Sequence, residues 1–168
     1  AAVLLDGGDV AAVRFKHDLP NYGVFDEKRI FETGPLPGPV SFRGVRLGIM
    51  ICEDMWAQDV TECLDESGAE ILIVINGSPF EIDKPDDRLN YAVSRITESC
   101  LPLIYVNIVG GQDELVFDGA SLVYDMTGEI ITRGPAFREA LVLVDLDIEA
   151  VLRSRLRDPR PRKESPTI

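Results

Sequence analysis

The chain has 168 residues, 45% of them hydrophobic and 27% charged, with a formal net charge of −12. That is enough for one compact domain with its own core, in the compositional range of soluble globular proteins. The acidic balance argues against nucleic acid or an anionic membrane as main partner, because both call for basic patches, and no apolar run approaches the ~18 residues of a membrane span.

In chain order, "AAVLL" and "VAAVRF" read as a hairpin about the turn "DGGD". "KHDLPNYGVFDEKRIF" has no clean period and reads as a structured loop, followed by the Gly/Pro-rich loop or edge segment "ETGPLPGPVSFRG". "VRLGIMI" is an almost continuous apolar strand of the kind buried on both faces. After "CEDMW", Ala57, Val60, Cys63 and Leu64 recur at helical spacing up to the stop at Gly68.

The second buried strand is "ILIVI", residues 71–75, and "NGSPFEIDK" is the loop after it. Pro85 opens a helix whose apolar stripe is Leu89, Ala92, Val93 and Ile96. "LPLIYVNIV" is a third strand, "GGQDELVFDG" a glycine-flanked loop, and "ASLVYDMTGEIITRG" a hairpin about Thr127–Gly128. "ALVLVDLD" reads as a final strand, with a short helix through Arg155 after it. The strand–helix alternation is an α/β pattern. The polar, Pro-rich tail "RDPRPRKESPTI" reads as a linker toward a further domain, giving a domain over 1–156 and a linker over 157–168. The chain does not open with Met and shows no signal peptide, so it reads as part of a longer polypeptide.

Cys52, Cys63 and Cys100 lie at irregular spacing, and His17 is the only histidine. Neither a disulfide framework nor a structural zinc site fits this pattern, which leads to expecting no metal and a reducing, cytoplasmic setting. In an open α/β sheet, ligands bind outside the carboxyl ends of the strands. Cys52 ends one strand, and the loops at 76–84 and 110–118 follow the next two. A following helix and a nearby Lys16 would both favour a thiolate at Cys52. A lone strand-end cysteine is nevertheless more often an inert interior residue, and Cys63 and Cys100, each on a helical stripe, read the same way. Singly, Lys16 reads as a surface charge, Glu27 as a loop carboxylate, Tyr22 as a packing aromatic, Ser78 as a turn residue and Lys84 as a helix-start charge.

Together, "KHDLPNYGVFDEKRIF", "GIMICEDMW", "NGSPFEIDK" and "VNIVGGQDELVFDG", in this order, resemble the carbon–nitrogen hydrolase (nitrilase) superfamily. More narrowly, they resemble the glutamine amidohydrolase domains of glutamine-dependent NAD synthetases, over roughly Ala1 to Asp147. The resemblance implies a four-layer αββα sandwich, here its C-terminal part. It also implies a Glu–Lys–Cys triad in which Cys52 matches the nucleophile and Lys16 the lysine. Glu27 matches a further carboxylate beside that lysine, and the triad glutamate is expected upstream of Ala1. Tyr22, Ser78 and Lys84 match glutamine-binding positions.

The implied chemistry is attack of the Cys52 thiolate on the side-chain amide of L-glutamine, with a thioester intermediate and release of ammonia. Lys16 and the backbone N–H of Glu53 would face the oxyanion. The ammonia would go to a synthetase domain of the same polypeptide, which binds ATP and Mg, with a homo-oligomer as the assembly. Lacking its glutamate, this portion alone is expected to be inactive. The alternatives are a stand-alone amidase or nitrilase acting on another amide, and a non-catalytic assembly module.

Overall fold

The structure, a computed structural model, describes residues 1–82 and 84–157, and only the backbone of 84–86. Its centre is a six-stranded sheet of order β10-β9-β6-β5-β4-β3. Strands β4 (Val45–Ile51), β5 (Ile71–Asn76) and β6 (Leu103–Asn107) are parallel. The short β3 (Val40–Phe42) and the hairpin β9 (Leu122–Tyr124) and β10 (Ile130–Arg133) extend the sheet antiparallel at its two edges. Helices α1 (Asp59–Glu66) and α2 (Lys84–Ser99) provide the crossovers that parallel strands require.

The alternation of each strand decides which residues meet the helices. Met50, Leu72, Val74, Leu103 and Tyr105 pack with Val60 and Leu64 of α1 and Ala92 and Ile96 of α2 in one buried cluster. Each fully buried Leu or Val contributes about 1.5–3 kcal/mol. Val151 of α3 (Ile148–Arg157) joins the same cluster, and Arg155 is bound to Asp65 at 2.8 Å.

The other face of the sheet is apolar and uncovered: Ile75 and Val106, paired across β5 and β6, are 44% and 43% exposed. One helical layer on one sheet, with the second sheet face bare, is half of an αββα sandwich. Outside this sheet lie two hairpins, β1 (Ala2–Asp6) with β2 (Asp9–Arg14), and β7 (Val109–Gln112) with β8 (Leu115–Asp118).

Three expectations are corrected. "GGQDELVFDG" is a hairpin, not a loop: Gln112 pairs with Leu115 across a two-residue turn in which Asp113 takes a left-handed φ of 52°. Asp113 and Glu114, which suggest a loop, form its turn, while Gly110 and Gly111 pair within β7 with Phe117 and Val116. "ALVLVDLD" forms no strand among the described residues, and Leu141 and Leu143 are 88% and 85% exposed. Its composition favours a strand, but a strand exists only with a partner for its backbone groups. Cys100, expected on a helical stripe, lies just beyond α2 with φ at 54° and terminates the helix. The helix after the final apolar run reaches Arg157, and the rest of the linker reading, 158–168, lies outside the described residues.

Candidate active site

The three parallel strands end side by side, so Cys52, the Asn76–Gly77–Ser78 turn and Asn107 emerge at one edge of the sheet. The chain does not enter a helix directly after β4, as the sequence suggests. Cys52 has a left-handed φ of 50° and opens a single 3-10 turn over Cys52–Met55, with α1 beginning only at Asp59. A non-glycine residue in that region costs on the order of 1–3 kcal/mol and persists only where its surroundings enforce it.

Asp54 is the enforcing residue. It is 1% exposed. Its Oδ2 accepts the Ile51 N–H at 2.9 Å, closing the turn around Cys52. Its Oδ1 accepts the N–H groups of His17 at 3.0 Å and Asp18 at 2.8 Å. One carboxylate thus ties the Cys52 turn to the residues that directly follow Lys16. Burial raises its pKa, and the three N–H donors oppose that rise.

His17, bland in the sequence, holds the same loop from the other side, with its Nδ1 2.7 Å from the Gly34 carbonyl oxygen. Gly34 donates its N–H back to the Lys16 carbonyl at 2.9 Å. A Cβ at position 34 would lie 2.8 Å from that carbonyl oxygen and 2.7 Å from the Phe15 Cβ, so only glycine permits the approach. His17, Asp18 and Asp59 also bring ligand-type atoms within 4.8 Å of one another. The His17–Asp59 ion-pair geometry at 3.8 Å accounts for that approach.

The structure brings five of the seven candidate residues together. Lys16 Nζ bridges both oxygens of Glu27 at 2.8 and 2.7 Å. Lys16 and Glu27 both act electrostatically on Cys52. Tyr22 donates its hydroxyl to the Glu53 carboxylate at 2.8 and 3.0 Å, and this contact with burial pushes the phenol pKa well up. The Glu53 N–H, next to Cys52 in the chain, acts to lower the thiol pKa. Ser78, the sixth, is buried in the loop that follows β5, the strand paired with β4 up to Ile51, and donates its N–H to Asn107 Oδ1 at 2.9 Å. Tyr105 lies within the field of Cys52, and burial pushes its pKa to about 12. The seventh, Lys84, begins α2, and its side chain lies outside the described residues.

A cavity of about 500 Å³ opens beside the turn, lined among others by His17, Asp18, Tyr22, Lys28, Glu53 and Trp56. Trp56 is braced by Tyr91, with ring centroids 4.3 Å apart. The residues missed in the sequence are Asp54, Tyr105, Asn107, Arg88 and Asp118. Asp54 alone carried a local signal, an acid placed where an apolar strand ends.

The electrostatics of the thiol run opposite to expectation. Burial raises the Cys52 pKa above the usual 9.0; Lys16 and the Glu53 N–H lower it, and the Glu53 and Glu27 carboxylates raise it. The helix α1 begins only at Asp59, and the Lys16 charge is shared with Glu27. The resting group is the thiol, which becomes a nucleophile only when a base takes its proton. Alkylation of Cys52 by iodoacetamide should therefore be slow at neutral pH and still rise as pH passes 9.0. A rate that levels off below neutral pH would contradict this assignment.

A strand-end cysteine in a left-handed turn, with a Lys–Glu pair beside it, thus stands at the carboxyl edge of an α/β sheet, and Glu53 of the same turn lines the cavity. Residues 1–155 match the carbon–nitrogen hydrolase family, and the chain belongs to that family.

Among curated proteins it is 46% identical over 144 residues to a glutamine-dependent NAD(+) synthetase of Rhodobacter capsulatus, covering 86% of this chain and 26% of the relative. Among solved structures, a glutamine-dependent NAD+ synthetase of Acinetobacter baumannii aligns at a TM-score of 0.82 and 38% identity, over 89% of this chain and 28% of that one. A carbon–nitrogen hydrolase of Helicobacter pylori aligns at 0.79 and 27%, over 91% and 59%. The chain spans about 26–29% of the length of the curated relatives it matches.

Proposed function

We propose that this chain supplies the nucleophile half of a glutamine amidohydrolase that feeds ammonia to a synthetase domain of the same polypeptide. The observation that carries the reading is the Lys16–Glu27 pair held beside Cys52 by the shared carboxylate of Asp54. The names of its curated relatives, glutamine-dependent NAD(+) synthetases, support glutamine as substrate and NAD(+) synthesis as the use of the ammonia, with deamido-NAD proposed as its acceptor.

Glutamine enters the cavity with its side-chain amide toward Cys52. The Cys52 sulfur attacks the amide carbon, and its proton passes to the triad glutamate expected upstream of Ala1. Negative charge develops on the carbonyl oxygen, where Lys16 and the Glu53 N–H stabilise it. The C–N bond breaks, the glutamate returns the proton to the leaving nitrogen, and ammonia departs from a γ-glutamyl thioester. Water then attacks the thioester, releasing glutamate and restoring the thiol. Glu27 keeps the Lys16 ammonium aimed. Tyr22, Ser78 and Lys84 hold the amino-acid end of the substrate.

ATP and Mg²⁺ belong to the synthetase domain, and no residue of this chain is assigned to them. The protein works as a homo-oligomer in the cytoplasm. No described helix is long and apolar enough to cross a membrane.

The test is ammonia release by the full-length protein and by residues 1–168 alone. The full-length protein should hydrolyse glutamine in preference to simple aliphatic amides. The short chain should be nearly inactive, because it lacks the proton-transfer carboxylate. Better hydrolysis of aliphatic amides would favour a stand-alone amidase. Full activity of the short chain would remove the need for an upstream glutamate.

A further inference from the structure

Four polar residues are buried together behind the site: Arg88 is 4% exposed, Asp118 3%, Ser78 6% and Asn107 6%. They come from α2, the end of β8, the loop after β5 and the end of β6. Arg88 Nη1 donates to both oxygens of Asp118 at 2.9 and 3.0 Å. Its Nη2 donates to two successive carbonyls, those of Ser78 and Pro79, each at 3.0 Å. Asn107 closes the ring: its Oδ1 accepts the Ser78 N–H at 2.9 Å, and its Nδ2 donates to the Ser78 carbonyl at 3.2 Å and to Asp118 at 3.4 Å. The next tie is the Phe80 N–H, which donates to the Val116 carbonyl of β8 at 2.7 Å.

A buried ion pair is a poor source of stability, because the charges lose their hydration. Here Nη2 of Arg88 gives both of its hydrogen bonds to the backbone of one loop, while its buried Nε meets no acceptor. Residues 77–80 have no regular secondary structure of their own. Their path is fixed instead by groups from three other elements. The planar guanidinium is the side chain able to meet a carboxylate and two adjacent carbonyls at once. The same loop leaves β5 beside the end of β4, where Ile75 pairs with Ile51, so it starts next to Cys52.

We propose that Arg88 and Asp118 are positioning residues, a buried strut by which the β7–β8 hairpin sets the Ser78–Phe80 loop for substrate binding at the Cys52 centre. Neither touches the substrate. The kinetic consequence rests on the glutamine amidohydrolase reading, whereas the loop placement does not.

The test uses Arg88→Lys in the full-length protein, which keeps the charge and removes the fork, with Asp118→Asn as a second variant should the first fail to fold. Amide hydrogen exchange follows Ser78 and Phe80 against the strand amides of β4, β5 and β6, and glutamine kinetics run in parallel. The strut predicts exchange at Ser78 and Phe80 faster by about 10-fold or more, with the strands unchanged. It also predicts a glutamine KM raised by about 10-fold with kcat within about 3-fold, the pattern of lost binding without lost chemistry.

Unchanged loop exchange would overturn the proposal, as would faster exchange spread evenly over the sheet, which marks a merely structural pair. A loosened loop with an unchanged KM would overturn its role in substrate binding. If the unmutated protein does not hydrolyse glutamine, the functional reading fails and the exchange result alone decides the strut.

Discussion

Replacing Cys52 by alanine in the full-length protein is expected to lower glutamine hydrolysis by about 10⁴-fold or more while leaving ammonia-dependent synthesis in place. The size follows from the absence of a substitute. Cys63 lies on α1 and Cys100 at the end of α2, so neither thiol stands in the strand-end turn. Lys16 and the Glu53 N–H can stabilise an oxyanion only after something has attacked the carbonyl. The fold should survive, because Cys52 is half-buried and outside the main apolar cluster, and alanine fits the same turn at similar strain. Loss of both activities to the same degree would make Cys52 structural.

Replacing Asp54 by alanine is expected to be the most destabilising single change near the site, at about 3 kcal/mol, with kcat down by about 10²-fold. Three N–H groups, those of His17, Asp18 and Ile51, lose their acceptor at once. Each costs about 1–3 kcal/mol when left unpaired, and the half-buried loop at 17–18 recovers part of this by turning to water. The left-handed turn at Cys52 then loses the Ile51 bond that spans it, and the Lys16 segment is no longer pinned to it.

Asp54→Asn separates the two effects. Its oxygen can still accept from His17 and Asp18, but its NH₂ would face the Ile51 N–H, two donors with no acceptor between them. The expected order in melting temperature and in kcat is wild type, Asn, Ala. Equal stability of all three proteins, by thermal and denaturant unfolding, would show that the carboxylate does not hold the turn.

The parts legible in the sequence are those set by local pattern. The buried strands β4, β5 and β6 are continuous apolar runs, and α2 shows its stripe because one face must meet the sheet. Cys52, Lys16, Glu27, Tyr22 and Glu53 were recognisable through the resemblance of their phrases, not through any property of the single residues. What stayed hidden was set by long-range pairing. β7 and β8 are strands only because Val109 finds Asp118 and Gly110 finds Phe117, whereas the strongly apolar run at 141–144 finds no partner among the described residues. Arg88 looks like one more helix charge, and its role exists only where three elements converge. The Cys52 pKa was misread for the same reason. The sequence shows the acids and the lysine, but burial and the Lys16–Glu27 pairing, which set the direction, are tertiary facts.

The most direct test of the central claim is mass spectrometry of the Cys52 peptide after the full-length protein is mixed with glutamine and quenched in acid. The account predicts a transient adduct on Cys52 with the mass of glutamine less ammonia, formed as ammonia appears and absent from Cys63 and Cys100. Ammonia released with no adduct at any quench time, and with undiminished rate after Cys52 is alkylated, would contradict it.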